Sequence, residues 1–146
     1  MDDIGTRLAD AVEAALPGWV ERSVDTILVA WTGRAADPAV LAEAAEAGRR
    51  AAADVGPALR RLVAADVDEQ WTNPLTLVRG AVRYPTEVLR AAGVPGVVRD
   101  RFDEEHFPDD EYGLTPLRFA DVDPALTDVG IEWGAAKAMA HKARHA

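Results

Sequence analysis

The chain has 146 residues, which suits one domain, and its composition (49% hydrophobic, 28% charged) is that of a globular protein. A formal net charge of −9 argues against binding to nucleic acid or to an anionic membrane, because both need a cationic surface. The sequence has no cysteine, which excludes disulfides and thiolate metal sites. We expect a single domain over residues 1–146, without a cofactor. No signal peptide or membrane-spanning run is evident, so a cytoplasmic location is expected.

Residues 1–70 are rich in alanine, and their apolar residues recur at helical spacing. Pro17-Gly18 is expected to end a first helix, and a second is predicted over Trp19–Thr32. Asp37-Pro38, an N-cap followed by proline, opens a third helix, which Gly56-Pro57 is expected to kink or break. These features predict an antiparallel bundle of three or four helices. Its apolar stripes contain Ile4, Leu8, Val12 and Ala15 or Leu16, then Val20, Val24, Ile27 and Trp31, then Val40, Ala44, Ala47, Ala51 and Val55.

The run from Trp71 to Pro95 carries the clearest start and stop signals in the chain. Asn73-Pro74 pairs a favourable N-cap with a proline that suits the first helical position. Pro85 disfavours the helical conformation of the residue before it, so this helix is expected to end or bend there. A second short helix is predicted over Thr86–Ala92, and Gly93 is placed to close it in a left-handed conformation. We therefore expect a proline-bent helix pair.

Three arginines, Arg79, Arg83 and Arg90, are predicted on the outer side of this helix pair. Residues 71–101 carry a net charge of +3, whereas residues 102–132 carry −9. Such opposite charges on neighbouring segments favour an internal match between the arginines and the carboxylates. The alternative is an anion-binding or docking face that a partner covers.

Residues 102–119, called the acidic segment below, are rich in aromatic residues, proline and carboxylates but have no periodicity. If ordered, this segment must be pinned on a helical surface of the chain or on another protein. A C-terminal helix is predicted from about Asp128 to Arg144, with basic residues late, where they complement the helix dipole. Its predicted buried face contains Trp133, Ala136, Ala140 and Ala143.

These elements predict an all-α fold. Residues 1–70 are expected to form an antiparallel helical bundle. The proline-bent helix pair, the irregular acidic segment and the C-terminal helix, all within residues 71–146, are expected to pack on it.

Two groups of residues could hold a metal ion. His141 and His145 are four residues apart and share a helix face, a spacing at which two imidazoles can ligate zinc. His106 lies near Asp109 and Asp110, whose carboxylates could complete a site. Neither group matches the metalloprotease, EF-hand or di-iron patterns. A metal- or small-molecule-binding protein is therefore the alternative hypothesis, and it requires the C-terminal helix to return beside the acidic segment.

Motifs for nucleophilic catalysis and phosphate binding are missing from the sequence. Ser23 is the only serine, and Gly93-Val-Pro-Gly96 lacks the lysine of a phosphate loop. This favours a noncatalytic interaction protein, an accessory subunit of a larger cytoplasmic assembly, over an enzyme. A protein partner is expected, and self-association through the alanine-rich faces is compatible with it. The predicted contact residues are Trp71, Arg79, Arg83, Arg90, Phe107 and Tyr112.

Three stretches of the second half, WTNPLTLVRGAVRYPTEVLRAAGVP, FPDDEYGLTP and WGAAKA, resemble sequences of small uncharacterised actinobacterial proteins. The resemblance covers roughly the second half of the chain and implies no particular activity.

Overall fold

The computed structural model of the chain describes residues 3–64 and 73–144, without the side chains of His141 and Arg144. Within these ranges the fold is all-α and contains no strand, which confirms the predicted class. Two long helices, α1 (Ile4–Thr32) and α2 (Pro38–Val63), pack antiparallel and form the body of the bundle. None of the described helices combines the length and apolarity that crossing a membrane requires.

The body has two helices where three or four were expected, because Pro17 and Pro57 lie inside α1 and α2 without ending them. A proline removes one intrahelical hydrogen bond and crowds the preceding turn. Here each helix buries a long face against the other, and this packing outweighs the local cost. Gly33 ends α1 in a left-handed conformation (φ 69°), and Asp37 caps α2 as predicted, accepting a 2.8 Å bond from the amide two residues on.

The core lies where α1 meets α2 and the later helices. The alanine stripe predicted for α2 is buried from Ala44 to Val55, and these small side chains let α1 approach closely. Trp31 is 51% exposed, contrary to its predicted place in the α1 stripe. The stripe continues at four-residue spacing from Val24 to Leu28 instead. The α1 core residues are Leu8, Val12, Leu16, Val20, Val24 and Leu28.

The bent helix pair consists of α3 (Pro74–Arg79), a 3₁₀ turn (Gly80–Val82) and α4 (Arg83–Ala91). Asn73 caps α3 as predicted, since its side chain accepts a 2.9 Å bond from the amide two residues on. The chain was expected to end or bend its helix at Pro85. It instead narrows to the 3₁₀ turn just before α4, and Pro85 lies inside α4. The proline ring crowds the carbonyl four residues earlier, and this carbonyl lies in the 3₁₀ turn. The helix pair packs on α1 and α2.

The remaining elements are α5 (Arg101–His106), α6 (Phe119–Val122), a 3₁₀ turn (Pro124–Leu126) and α7 (Thr127–Arg144). α7 packs against α1 and buries Trp133 to 5% exposure. An ion pair between Arg7 and Glu132 (2.9 Å) joins the same two helices. Ala143, predicted on the buried face of α7, is exposed.

Candidate docking groove beside the bent helix pair

The exit of the bent helix pair is fixed by two backbone hydrogen bonds. The Gly93 amide donates to the Arg90 carbonyl (2.9 Å), and the Val94 amide donates to the Leu89 carbonyl (3.1 Å). Gly93 is left-handed at φ 78°, as its predicted closing role requires. This combination is a Schellman motif, and it ends the helix with a defined direction of exit.

The acidic segment is tied to this exit by side-chain and backbone contacts. The Tyr112 hydroxyl donates to the Val94 carbonyl (2.7 Å), and the Val97 amide donates to the Glu111 carbonyl (2.9 Å). Arg90 Nε donates to the Glu111 carboxylate (2.9 Å). These contacts order the acidic segment on its own chain.

Asp110 organises the turn at the centre of the acidic segment. The residue is 5% exposed. Oδ1 accepts from the Leu114 amide (2.7 Å), while Oδ2 accepts from the Thr115 amide (2.8 Å) and hydroxyl (2.7 Å). Bonds to an ionised acceptor are among the stronger ones. Both oxygens of Asp110, a predicted metal ligand, are therefore engaged by the protein itself.

A groove of about 300 Å³ lies between the bent helix pair and the acidic segment. One wall carries Arg79 and Arg83, and the other carries His106, Phe107 and Asp109. The structure thus brings together residues that the sequence suggested separately, as contact arginines and as metal ligands. The result is a groove with mixed charge and an apolar component.

The two groove arginines differ in what they contact. Arg79 Nε donates to the Pro116 carbonyl (3.0 Å) and so holds the end of the acidic segment. Arg83 donates to the Tyr84 hydroxyl (2.7 Å), and its guanidinium carbon lies 4.8 Å from the centre of that ring. Its nitrogen is 3.4 Å from the Asp54 carboxylate, and its side chain is 61% exposed. Arg83 is therefore the more accessible of the two to a partner.

The pairing of arginines with carboxylates of the acidic segment, which the charge pattern predicts, is formed only in part. Arg90 pairs with Glu111 of the acidic segment, as that interpretation predicts. Arg79 and Arg99 instead bond to backbone carbonyls, in the case of Arg99 that of Phe107 (2.7 Å). Carbonyls accept these bonds without neutralising the cation, so part of the positive charge near the groove persists.

The other predicted contact residues have different environments. Phe107 is half-buried in the groove wall. Tyr112 is 2% exposed, so its ring packs in the core and does not face a partner. Its hydroxyl anchors the acidic segment through the bond to the Val94 carbonyl. Trp71 lies outside the described residues.

The predicted metal ligands do not converge within the described part of the chain. Those residues contain no group of three or more histidines and carboxylates that could hold a metal ion. His106, Asp109 and Asp110 therefore do not form the expected ligand set, although all three line the groove. His145 and the side chain of His141 lie outside the described residues.

Three apolar side chains around the acidic segment are exposed, and none of them is among the predicted contact residues. Val98 is 102% exposed, Phe102 58% and Leu117 61%. The Phe102 ring stacks on His106 with centroids 4.0 Å apart, so its position is fixed although it faces solvent. One local signal could have placed Phe102 in a short helix. Asp100 caps α5 by accepting from an amide three residues on (2.8 Å), a sequence-level mark of a helix start.

The Arg90–Glu111 pair gives the acidic segment a dependence on pH. The hydrogen bond from Arg90 holds the pKa of Glu111 below its ordinary value of 4.5. A carboxyl whose pKa is lowered by folding contributes stability above its unfolded pKa, and this contribution is lost as pH falls through the folded value. We expect the protection of the Val97 amide from hydrogen exchange to fall as pH drops below 4.5.

In Glu111→Gln the protection of the Val97 amide should depend less on pH, since the substituted side chain no longer titrates. Glu104→Gln, at an exposed position in α5, is the matched control and should retain the wild-type profile. Identical profiles for wild type and Glu111→Gln would show that the ion pair does not hold the segment.

Fold and groove together define an all-α protein in which an antiparallel helical hairpin carries a bent helix pair and an ordered acidic segment. Comparison of the chain with protein-family models, curated proteins and solved structures finds no match. The features that indicate function therefore lie in the surface of the protein and its chemistry.

Proposed function

We propose that this chain is a noncatalytic interaction protein, an accessory subunit of a larger cytoplasmic assembly, and that it docks a protein partner at the groove. Its place among the small actinobacterial proteins that its second half resembles is part of the same proposal. The partner we propose presents a carboxylate next to an apolar side chain.

The observation that carries the proposal is an ordered surface with exposed apolar groups. Tyr112, Asp110 and Arg90 hold the acidic segment in place, and yet Phe102 and Leu117 remain more than half exposed. Fixed apolar side chains in water are typical of binding surfaces, since burying them on association is favourable and costs little side-chain entropy.

Arg83 supplies the polar part of the proposed contact. Its guanidinium is oriented by the Tyr84 hydroxyl and ring, and its side chain is 61% exposed. A pre-oriented guanidinium can bind a carboxylate with two parallel hydrogen bonds. Aromatic residues and arginines dominate the binding energy of many interfaces, which favours Phe102 and Arg83 as the main contacts.

The test compares partner capture by tagged variants produced in the native organism. Phe102→Ser and Arg83→Gln should each lower recovery of the partner chain by about tenfold or more, the loss expected for a main contact residue. Recovery is measured by quantitative mass spectrometry, and the complex is weighed by native mass spectrometry. Glutamine is chosen because it removes the charge without placing a carboxylate beside Asp54.

Matched controls separate docking from folding. Trp31→Ser removes an exposed aromatic side chain from the last turn of α1, and Arg49→Gln removes an exposed arginine from α2. Neither residue lines the groove, so both variants should bind normally. The proposal fails if all four variants recover the same chain equally. It also fails if Phe102→Ser and Arg83→Gln lose the chain only when their melting temperatures fall as well.

A further inference from the structure

The outward face of α7 presents an exposed stripe at alternating spacings of three and four residues. Ile131 on this stripe is 65% exposed, and Met139 beside it is 73% exposed. A Cβ at Gly134 would meet nothing within 4 Å, so another helix could approach closely there. The stripe consists of Asp128, Ile131, Ala135, Ala138 and Lys142.

This composition is unusual for a helix face in water. α7 already buries Trp133 in the core, and the outward face of such a helix is normally polar. Here the middle of the stripe is apolar and small, and charge is found only at its two ends. Apolar residues at spacings of three and four form the seam between paired helices.

The charges at the two ends of the stripe favour a second copy of this chain, in antiparallel orientation, as the binding partner. Asp128 and Lys142 lie seven residues on either side of Ala135, about 10 Å along the helix axis in each direction. Ile131 and Met139 lie four residues on either side. An antiparallel second copy therefore places its Lys142 beside Asp128 and its Met139 beside Ile131. A parallel copy would place like charges together.

We propose that α7 is a self-association surface, on which two copies of this chain pair antiparallel about a two-fold axis at Ala135. The same residues serve both copies, as a two-fold interface requires. The lack of a side chain at Gly134 and the small methyl groups of Ala135 and Ala138 permit close helix packing.

Interface size sets the expected affinity. A single helix pair buries an area at the low end of specific interfaces, so we expect a dissociable dimer with a Kd of about 1–100 µM. The proposed dimer interface contains none of the groove residues, so dimerisation is a property separate from docking. Dimerisation would give the assembly two grooves and hence bivalent binding.

The test exploits the two-fold symmetry of the charge pairs. Sedimentation velocity of the wild type up to several hundred µM should show a concentration-dependent dimer. Asp128→Lys alone places like charges at both ends of the seam, and so does Lys142→Asp alone. Each variant should dimerise at least tenfold more weakly. An equimolar mixture of the two should dimerise again, since every end pair in the mixed dimer is then opposite in sign.

The control is Asp25→Lys on α1, which changes net charge by the same amount as Asp128→Lys at another exposed position and should dimerise normally. Melting curves check that each variant is folded. A wild type that stays monomeric would overturn the proposal. So would a mixture that stays monomeric, or equal weakening by Asp25→Lys and Asp128→Lys. Partner capture by the Phe102 and Arg83 variants is a separate readout, so either proposal can fail alone.

Discussion

Gly48→Ala is expected to lower the free energy of unfolding by about 1–3 kcal/mol, although alanine is the better helix former. A Cβ at Gly48 would lie 2.8 Å from Pro17 Cα and 2.9 Å from the Pro17 carbonyl oxygen. Both contacts are with backbone atoms, which cannot rotate away. The added methyl group must therefore push α1 and α2 apart at their crossing and loosen the core on either side. Thermal and denaturant unfolding measure the effect.

Gly56→Ala, eight residues further along α2, is the matched control for this substitution. A Cβ there would collide with Glu13 Oε2, but that atom ends a flexible side chain, which forms an exposed ion pair with Arg60. The carboxylate can move aside at little cost, but Pro57 follows directly. A proline ring crowds the Cβ of the helical residue before it, so alanine keeps only part of its propensity advantage over glycine here. We expect Gly56→Ala to lower the free energy of unfolding by less than Gly48→Ala does. Similar losses for both variants would show that Gly48 is not a close-packing position.

Asp110→Ala is expected to destabilise the acidic segment by about 2–5 kcal/mol, because it leaves the Leu114 and Thr115 amides without their acceptors. Asp110→Asn retains one carbonyl oxygen and should have an intermediate effect. Amide hydrogen exchange at Leu114 and Thr115 measures the local loss, and thermal unfolding measures how much reaches the whole fold.

The neighbouring carboxylate provides the control for Asp110. Asp109 is exposed and lines the same groove, so Asp109→Ala should leave the Leu114 and Thr115 amides protected. Equal protection in Asp109→Ala and Asp110→Ala would mean that the Asp110 carboxylate does not order this turn. Because Asp110 supports the groove wall, its variants should also weaken partner capture. In these variants the Leu114 and Thr115 amides should lose protection from hydrogen exchange, whereas in Phe102→Ser they should keep it.

Features that depend on residues within one or two helical turns were predictable from the sequence. Asn73 and Asp37 cap their helices, and Gly93 closes the bent pair, because each acts on backbone groups a few positions away. The apolar stripe of α2 was predictable for the same reason, since helical periodicity alone determines which residues share a face.

The candidate site was predictable only in its parts. The sequence identified Arg79, Arg83, His106 and Phe107, and the structure places all four around one groove. It did not separate Arg79, which holds the acidic segment, from the accessible Arg83. That distinction depends on whether a carbonyl 37 residues along the chain lies within reach.

The sequence by itself determined an all-α chain with defined helix starts and stops, a charge reversal between neighbouring segments and an apolar pattern for each helix. Only the tertiary structure decided that α1 and α2 continue through their prolines, that Tyr112 is an interior anchor, and that Phe102 faces solvent. The physical reason is the range of the interactions. Caps and periodicity act over a few residues, whereas a contact such as Gly48 with Pro17, or Tyr112 with Val94, exists only after distant segments have packed.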